Sequence, residues 1–199
     1  VRHTDPERGV IKLDGQDLRT LSLATLRRYI LTVETDPFVF HATLAANLRV
    51  AAPDADETAL RHALTLVGLG AWVETLPDAM ATVLGERGRA MSTGERQRLA
   101  LARAVLADPR VLVLDEATSA LDPATESVVL TALQPWLAQR TVVFITHRSS
   151  VALLAPRTIV LRGGRIVADG PSRDIVAQSG PMQSSTAPGL QTPPVRQHA

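Results

Sequence analysis

Met91-Ser92-Thr93-Gly94-Glu95-Arg96-Gln97, then Val111-Leu112-Val113-Leu114-Asp115-Glu116, then Ser119-Ala120-Leu121-Asp122: these three pieces, within residues 91–122, decide the fold. Ser92 to Glu95 fits the Ser-x-x-Glu pattern of a capping box. In it, a serine hydroxyl and a glutamate carboxylate each bond one unsatisfied backbone N–H. The helix so begun carries Leu99, Leu101, Ala102 and Val105. A helix N-terminus also gathers free N–H groups and the positive end of the helix dipole, so it is a ready anion site. Gly94 would let an anion approach the backbone closely. Residues 111–114 form a continuous apolar run between Asp108-Pro109 and Asp115, the pattern of a strand buried in a parallel sheet. Ligands of open α/β sheets bind beyond the carboxyl ends of the strands. Asp115-Glu116 is therefore either a solvated acidic turn or the acid pair of a site.

The same alternation continues downstream. Asp122 is a good N-cap, and Pro123 takes the favoured first helical position. The helix is expected to run through Val128, Val129 and Leu133 to about Gln139, followed by a strand over 141–146. Alternating apolar strands and helices imply a parallel sheet covered on both faces. Residues 158–161 and 165–168, joined by Gly163-Gly164, read as a closing hairpin. Beyond Ser179 the chain is rich in Pro, Ser, Thr and Gln, the composition of a disordered tail over 179–199.

Upstream, Val10-Ile11-Lys12-Leu13 reads as a strand and Asp14-Gly15 as a hairpin turn. Ser22 can cap a short helix carrying Leu23, Leu26 and Arg27, and residues 29–33 form a second apolar strand. From about Ala42 to Ala107 the texture turns almost wholly helical. Asp54 or Asp56 can cap a helix with Leu60, Ala63, Leu64 and Val67 at helical spacing, stopped by Gly68 and Gly70. The switch suggests a helical subdomain inserted into an α/β core.

Composition narrows the function classes. The 199 residues suffice for one domain with a substantial core. The formal net charge of +1 gives no strong field to attract nucleic acid or anionic lipid, so no nucleic-acid partner is expected. There is no cysteine, hence no disulfide framework and no thiolate metal site. No apolar run approaches the roughly 20 residues that span a bilayer, and with charged residues near the start no signal peptide is expected there. His3, His41, His62 and His198 show no metal-ligand spacing.

The ordered set of motifs resembles the ATPase domain of ABC transporters, over residues 1–178. Ser92 to Gln97 resembles the signature motif of that family, and Val111 to Glu116 its Walker B strand with the catalytic carboxylate. Ser119 to Asp122 resembles the D-loop, and His147, after the strand, the switch histidine. Asp36-Pro37-Phe38-Val39-Phe40 resembles the end of the Q-loop. Gly85-Glu86-Arg87-Gly88 resembles the X-loop of exporter-type members, which touches the coupling helices of a membrane domain. The resemblance implies an α/β fold, a P-loop NTPase (RecA-like) core with a mostly parallel sheet and an inserted helical subdomain. Its α/β core would be residues 1–40 and 109–170, its helical subdomain 41–108.

Three departures accompany it. No Gly-x-x-x-x-Gly-Lys-Ser/Thr occurs in the sequence, and Asp5 to Ile11 matches the segment that follows that P-loop in the family. The domain is therefore expected to be incomplete at its N-terminus, a view that Val1 in place of Met supports. The Q-loop glutamine position holds Thr35, beside Glu34. In the signature, Thr93 stands where glycine is usual and Glu95 where glutamine is usual.

By resemblance the cofactors are ATP and Mg2+. Asp115 would hold the magnesium ion through water, with Thr35 a shorter-reaching second candidate. Glu116 would orient or deprotonate the attacking water, with His147 as γ-phosphate sensor. Ser92, Thr93, Gly94 and Glu95 would grip the γ-phosphate of ATP on an opposing subunit. A glutamate near phosphate is repulsive unless it folds back as the capping partner. Asp122 is open between a plain N-cap and a residue of the dimer interface. The implied partners are the transmembrane domain of an ABC transporter and a second nucleotide-binding domain. The implied location is the cytoplasmic face of the plasma (inner) membrane, through a membrane domain outside this chain. The chain alone is expected to be inactive for want of the P-loop. A non-catalytic or decaying ABC fragment, and a soluble ABC ATPase of DNA repair or translation, are the alternatives.

Overall fold

A computed structural model describes residues 2, 4–85 and 88–179. Glu86, Arg87 and the tail expected over 179–199 lie outside the described residues, apart from the backbone of Ser179. The chain divides into two compact units, Val1–Ile145 and Thr146–Ala199.

The first unit opens with a hairpin, β1 (Lys12–Leu13) and β2 (Gln16–Asp17). Its turn residues Asp14 and Gly15 have φ of 49° and 82°. A two-residue turn with both φ positive matches the right-handed twist of the flanking strands. The paired strand is shorter than expected. Val10 and Ile11 stay exposed, although the Ile11 carbonyl still accepts a bond from the Leu18 N–H. Ser22 caps α1 (Leu23–Tyr29), its hydroxyl accepting from the Thr25 N–H. Tyr29 is the last helical residue, so β3 is Ile30–Val33.

Among the described residues, four α-helices and a short 3-10 helix (Ala79–Ala81) separate β3 from the next strand. Thr43 caps α2 (Leu44–Arg49), and Asp56, of the two candidate aspartates, caps α3 (Glu57–Leu66). Gly68, at φ of 70°, follows its end. Gly70, expected as a second stop, instead begins α4 (Gly70–Glu74). The helical texture breaks between α4 and α5 (Thr93–Ala107), where β-bridges join Thr43 to Val83 and Leu84 to Arg89. Asp108 ends α5 in the left-handed conformation, φ 47°. Strand β4 (Val111–Asp115), α6 (Pro123–Leu137) and β5 (Thr141–Ile145) follow.

The sheet order is β3-β4-β5, all parallel, with Ile30 opposite Val111 and Val111 opposite Thr141. Alternation along a strand sends successive side chains to opposite faces. Leu31, Val33, Leu112, Leu114, Val142 and Phe144 share one face. They join a core that also holds Leu44, Leu64, Leu99 and Leu133. The other face is half-buried at Thr32, Val111 and Val113, while Val143 and Ile145 remain 45% and 48% exposed. Among the described residues, the cover expected on both faces is thus full on one and partial on the other.

The second unit holds α7 (Ser149–Ala152), β6 (Arg157–Arg162), β7 (Arg165–Pro171) and α8 (Ser172–Ser179). β6 and β7 pair antiparallel around Gly163 and Gly164, at φ of 55° and 73°, as the glycine pair predicts. Neither helix is signalled by long periodicity. α7 has four residues, and α8 is anchored by buried Ile175 and by the Ser172 hydroxyl, 2.7 Å from that of Thr158.

Candidate functional site

The N-terminus of α5 is built as its sequence demands. The Glu95 N–H donates to the Ser92 hydroxyl (3.2 Å), and the Ser92 N–H donates to the Glu95 carboxylate (2.7 Å). Glu95 is therefore folded back as the capping partner, its charge spent on the helix end rather than projecting from it. Ser92 and Thr93 are exposed, whereas Gly94 and Glu95 are half-buried. Gly94 has a second reason to be glycine. A Cβ there would lie 3.2 Å from Leu121 Cδ2 and 3.3 Å from the Ala120 carbonyl oxygen, so the 119–122 loop packs directly on the helix start.

Arg96 closes the far side of this helix end. Its guanidinium donates to the Met91 carbonyl (3.1 Å), the Thr93 hydroxyl (3.2 Å) and the Asp36 carboxylate (3.3 Å).

The two acids stand at the carboxyl end of the central strand. Asp115 closes β4 opposite Ile145. Glu116 follows at φ of 48°, a left-handed conformation that costs a non-glycine residue on the order of 1–2 kcal/mol. Its backbone is fastened on both sides to offset that cost. Its N–H donates to the Ile145 carbonyl (3.0 Å), and its carbonyl accepts from the Ser119 N–H (3.0 Å) and from Gln97 Nε2 (3.3 Å). Such outliers persist only where the surroundings over-determine them, and they cluster at functional sites. The turn leaves both carboxylates half-buried.

Thr35 follows β3 in the neighbouring position. Its hydroxyl donates to the Asp115 carbonyl (3.1 Å), so its proton is committed to the strand end it was expected to serve. Asp122 caps α6, accepting from the N–H groups of Ala124 (3.1 Å) and Thr125 (3.0 Å). The Thr125 hydroxyl, with these backbone donors, holds its carboxyl below the ordinary range. The N-cap half of its two readings is thereby present. His147 is exposed and belongs to the second unit, where the neighbouring Arg148 N–H donates to the Thr146 hydroxyl (3.0 Å).

In the first unit the structure thus gathers Thr35, the start of α5, Asp115, Glu116 and the 119–122 loop. Among the described residues no three His, Cys, Asp or Glu converge as a metal cluster. One carboxylate at a strand end still fits magnesium, which binds through one or two carboxylates with waters and substrate phosphates supplying the rest.

The sequence reading missed Gln97, Asn47 and Arg103. Asn47 is wholly buried. Its side chain accepts from the Phe40 N–H (2.9 Å) and donates to the carbonyls of Phe40, Ala42 and Thr43. Arg103 donates to the Asn47 carbonyl, the Asn47 side-chain oxygen and the Phe38 carbonyl (2.8, 2.7 and 2.7 Å). Burial pushes its guanidinium down from the ordinary value. Together they pin the loop over 38–43 to α2 and α5. The signal for Gln97 was readable, since it sits at i and Leu101 and Ala104 at i+4 and i+7 on one face.

Comparison with known proteins follows the same residues. The model of a family described as "ABC transporter" matches residues 1–119. The beta-(1→2)glucan export ATP-binding/permease protein NdvA of Rhodopseudomonas palustris (strain BisB18) is 44% identical over 179 residues, 90% of this chain and 30% of that protein. The ATP-dependent lipid A-core flippase of Thiobacillus denitrificans is 42% identical over 184 residues, 90% of this chain and 31% of that one. A solved structure of a bacterial Atm1-family ABC exporter with ATP bound superposes with a TM-score of 0.84 at 32% identity. It covers 90% of this chain and 32% of that chain. This chain spans about 30% of the length of the curated relatives it matches.

Proposed function

This chain belongs to the ABC transporter family and has the P-loop NTPase fold of an exporter's ATP-binding domain; from that premise we propose that it couples ATP hydrolysis to export across a membrane. It acts with a transmembrane domain and with a second nucleotide-binding domain, at the cytoplasmic face of the plasma (inner) membrane. No helix among the described residues is long and apolar enough to cross a membrane itself. Within the domain, residues 1–40 and 109–170 serve as α/β core and 41–108 as helical subdomain, although compactness divides the chain after Ile145.

One observation carries this reading: Glu116, left-handed and clamped, stands at the end of the central parallel strand beside the capped start of α5. Magnesium, when bound, supplies charge neutralisation at the β- and γ-phosphates. Asp115 would hold it through water, and Thr35 keeps the Asp115 backbone in place. Glu116 orients the attacking water and accepts its proton. Ser92, Thr93 and Gly94 offer a hydroxyl pair and a helix N-terminus to the γ-phosphate of ATP on the opposing domain. Glu95 serves by capping, which removes the repulsion its charge would otherwise bring. His147 donates a hydrogen bond to the γ-phosphate. Asp122 and its loop line the contact between the two domains.

The test is ATP turnover by the membrane-assembled exporter. Glu116→Gln is expected to lower kcat by about 10²–10⁴-fold, the usual contribution of a positioned base, while ATP still binds. Unchanged turnover would remove Glu116 from the chemistry. The 199-residue chain alone, which holds no P-loop sequence, is expected to turn over no ATP. Measurable turnover abolished by Glu116→Gln would overturn that.

A further inference from the structure

Gln97 lies on α5, wholly buried, one and a half turns beyond the capping serine. Its amide reaches two separate loops, the one after β3 and the one after β4. Nε2 donates to the Thr35 carbonyl (2.8 Å), the Glu116 carbonyl (3.3 Å) and the Ser119 hydroxyl (3.1 Å). Oε1 accepts from the Ala120 N–H (2.9 Å). The orientation of the amide follows from these partners. A backbone N–H can only donate and a carbonyl can only accept, so a flipped amide would set like groups against each other at Ala120, Thr35 and Glu116.

The joined elements are those on which the proposed chemistry depends. Thr35 follows β3, Glu116 follows β4, and Ser119 and Ala120 belong to the loop that packs against Gly94. Gln97 sits on the helix whose N-terminus carries Ser92. The carbonyl it holds at Glu116 belongs to the one residue of the pair with a left-handed backbone.

We propose that Gln97 is a positioning residue: a buried side-chain amide that fixes the Glu116 backbone in register with Thr35, the 119–120 loop and the start of α5. It rests on the proposed function. It touches no substrate itself, and it acts through the Glu116 peptide. A side-chain amide suits this place because it alone presents donors and an acceptor at one tip without charge. Gln97→Glu keeps the shape and the acceptor for Ala120 but sets an oxygen against two carbonyls. Gln97→Met keeps the approximate volume and loses every bond.

Two measurements test it. In the full 199-residue chain, Gln97→Met is expected to speed amide exchange at Ala120 by about tenfold, the equivalent of one lost hydrogen bond. Gln97→Glu is expected to preserve Ala120 and speed exchange at Ser119, whose N–H bonds the Glu116 carbonyl. The control Leu101→Ala lowers thermal stability without that local pattern. In the membrane-assembled exporter, both Gln97 variants are expected to lower kcat about tenfold or more with KM for ATP within twofold, as a displaced catalytic group does.

Exchange at Ala120 no faster in Gln97→Met than in Leu101→Ala overturns the proposal, and so does a full kcat in both Gln97 variants. Should Glu116→Gln leave turnover intact, the functional reading fails. The exchange pattern then still decides whether Gln97 holds these loops.

Discussion

Glu116 carries a contradiction that the fold resolves locally. A carboxylate with a Cβ occupies a backbone region suited to glycine, and three backbone or amide bonds hold it there. Glu116→Gly would relieve the strain while removing the acid, so it should lose turnover without losing stability, a separation that thermal melting and ATPase assays read together. A simpler charge effect lies near the N-terminus. Arg19 bonds Asp17 through side chain and backbone and draws its carboxyl down to about 2. The unfolded value is 3.8, so the pair favours the folded state above that value and ceases to do so as pH falls through about 2. A carbon-detected NMR titration should find the Asp17 midpoint near 2 and see it rise to the ordinary range in Arg19→Ala. Both carboxyl and guanidinium are solvent-accessible, so the stability effect is small.

Helix ends decide the layout at the next scale. Ser92, Asp56, Thr43, Ser22 and Asp122 each accept a backbone N–H in the first turn of their helices. Loss of such a cap typically costs about 1 kcal/mol. Ser92→Ala should therefore lower the stability of the chain by about that amount in urea unfolding. Glu95→Gln should cost little, because an amide oxygen can accept the Ser92 N–H as the carboxylate does. At Gly94 the constraint comes from outside the helix. An added methyl must displace the Ala120 carbonyl or Leu121, so Gly94→Ala should shift the amide resonances of Ala120 and Leu121 more than those of the helix that bears it.

Across the whole first unit, one core joins the sheet to the helices between β3 and β4. Leu99 is fully buried there, and Leu99→Ala should cost about 2–5 kcal/mol by chemical denaturation. Asn47 and Arg103 are the polar counterpart. Arg103→Met would leave the Phe38 carbonyl without that donor, at a cost of about 1–3 kcal/mol and with faster exchange in the loop over 38–43.

Much of this was legible in order along the chain. The capping box, the apolar run into Asp115-Glu116, the Asp122-Pro123 start and the turns at Asp14-Gly15 and Gly163-Gly164 are local patterns. Local patterns act through a few neighbouring dihedral angles and need no distant partner. What stayed illegible needed partners far along the chain. Gly70 looks like a stop and starts a helix, because Gly68 has already reversed the chain at its left-handed angle. Thr35 looks like a short ligand, and its hydroxyl turns out to serve the Asp115 carbonyl. Gln97 looks like one more polar helix residue until the loops after two strands close around it. The sequence by itself determined the three strands of the parallel sheet, the caps at Ser22, Ser92 and Asp122, and the family. Tertiary structure alone decided which backbone groups meet around Glu116, because a hydrogen bond between residues dozens of positions apart exists only once the sheet has set their distance.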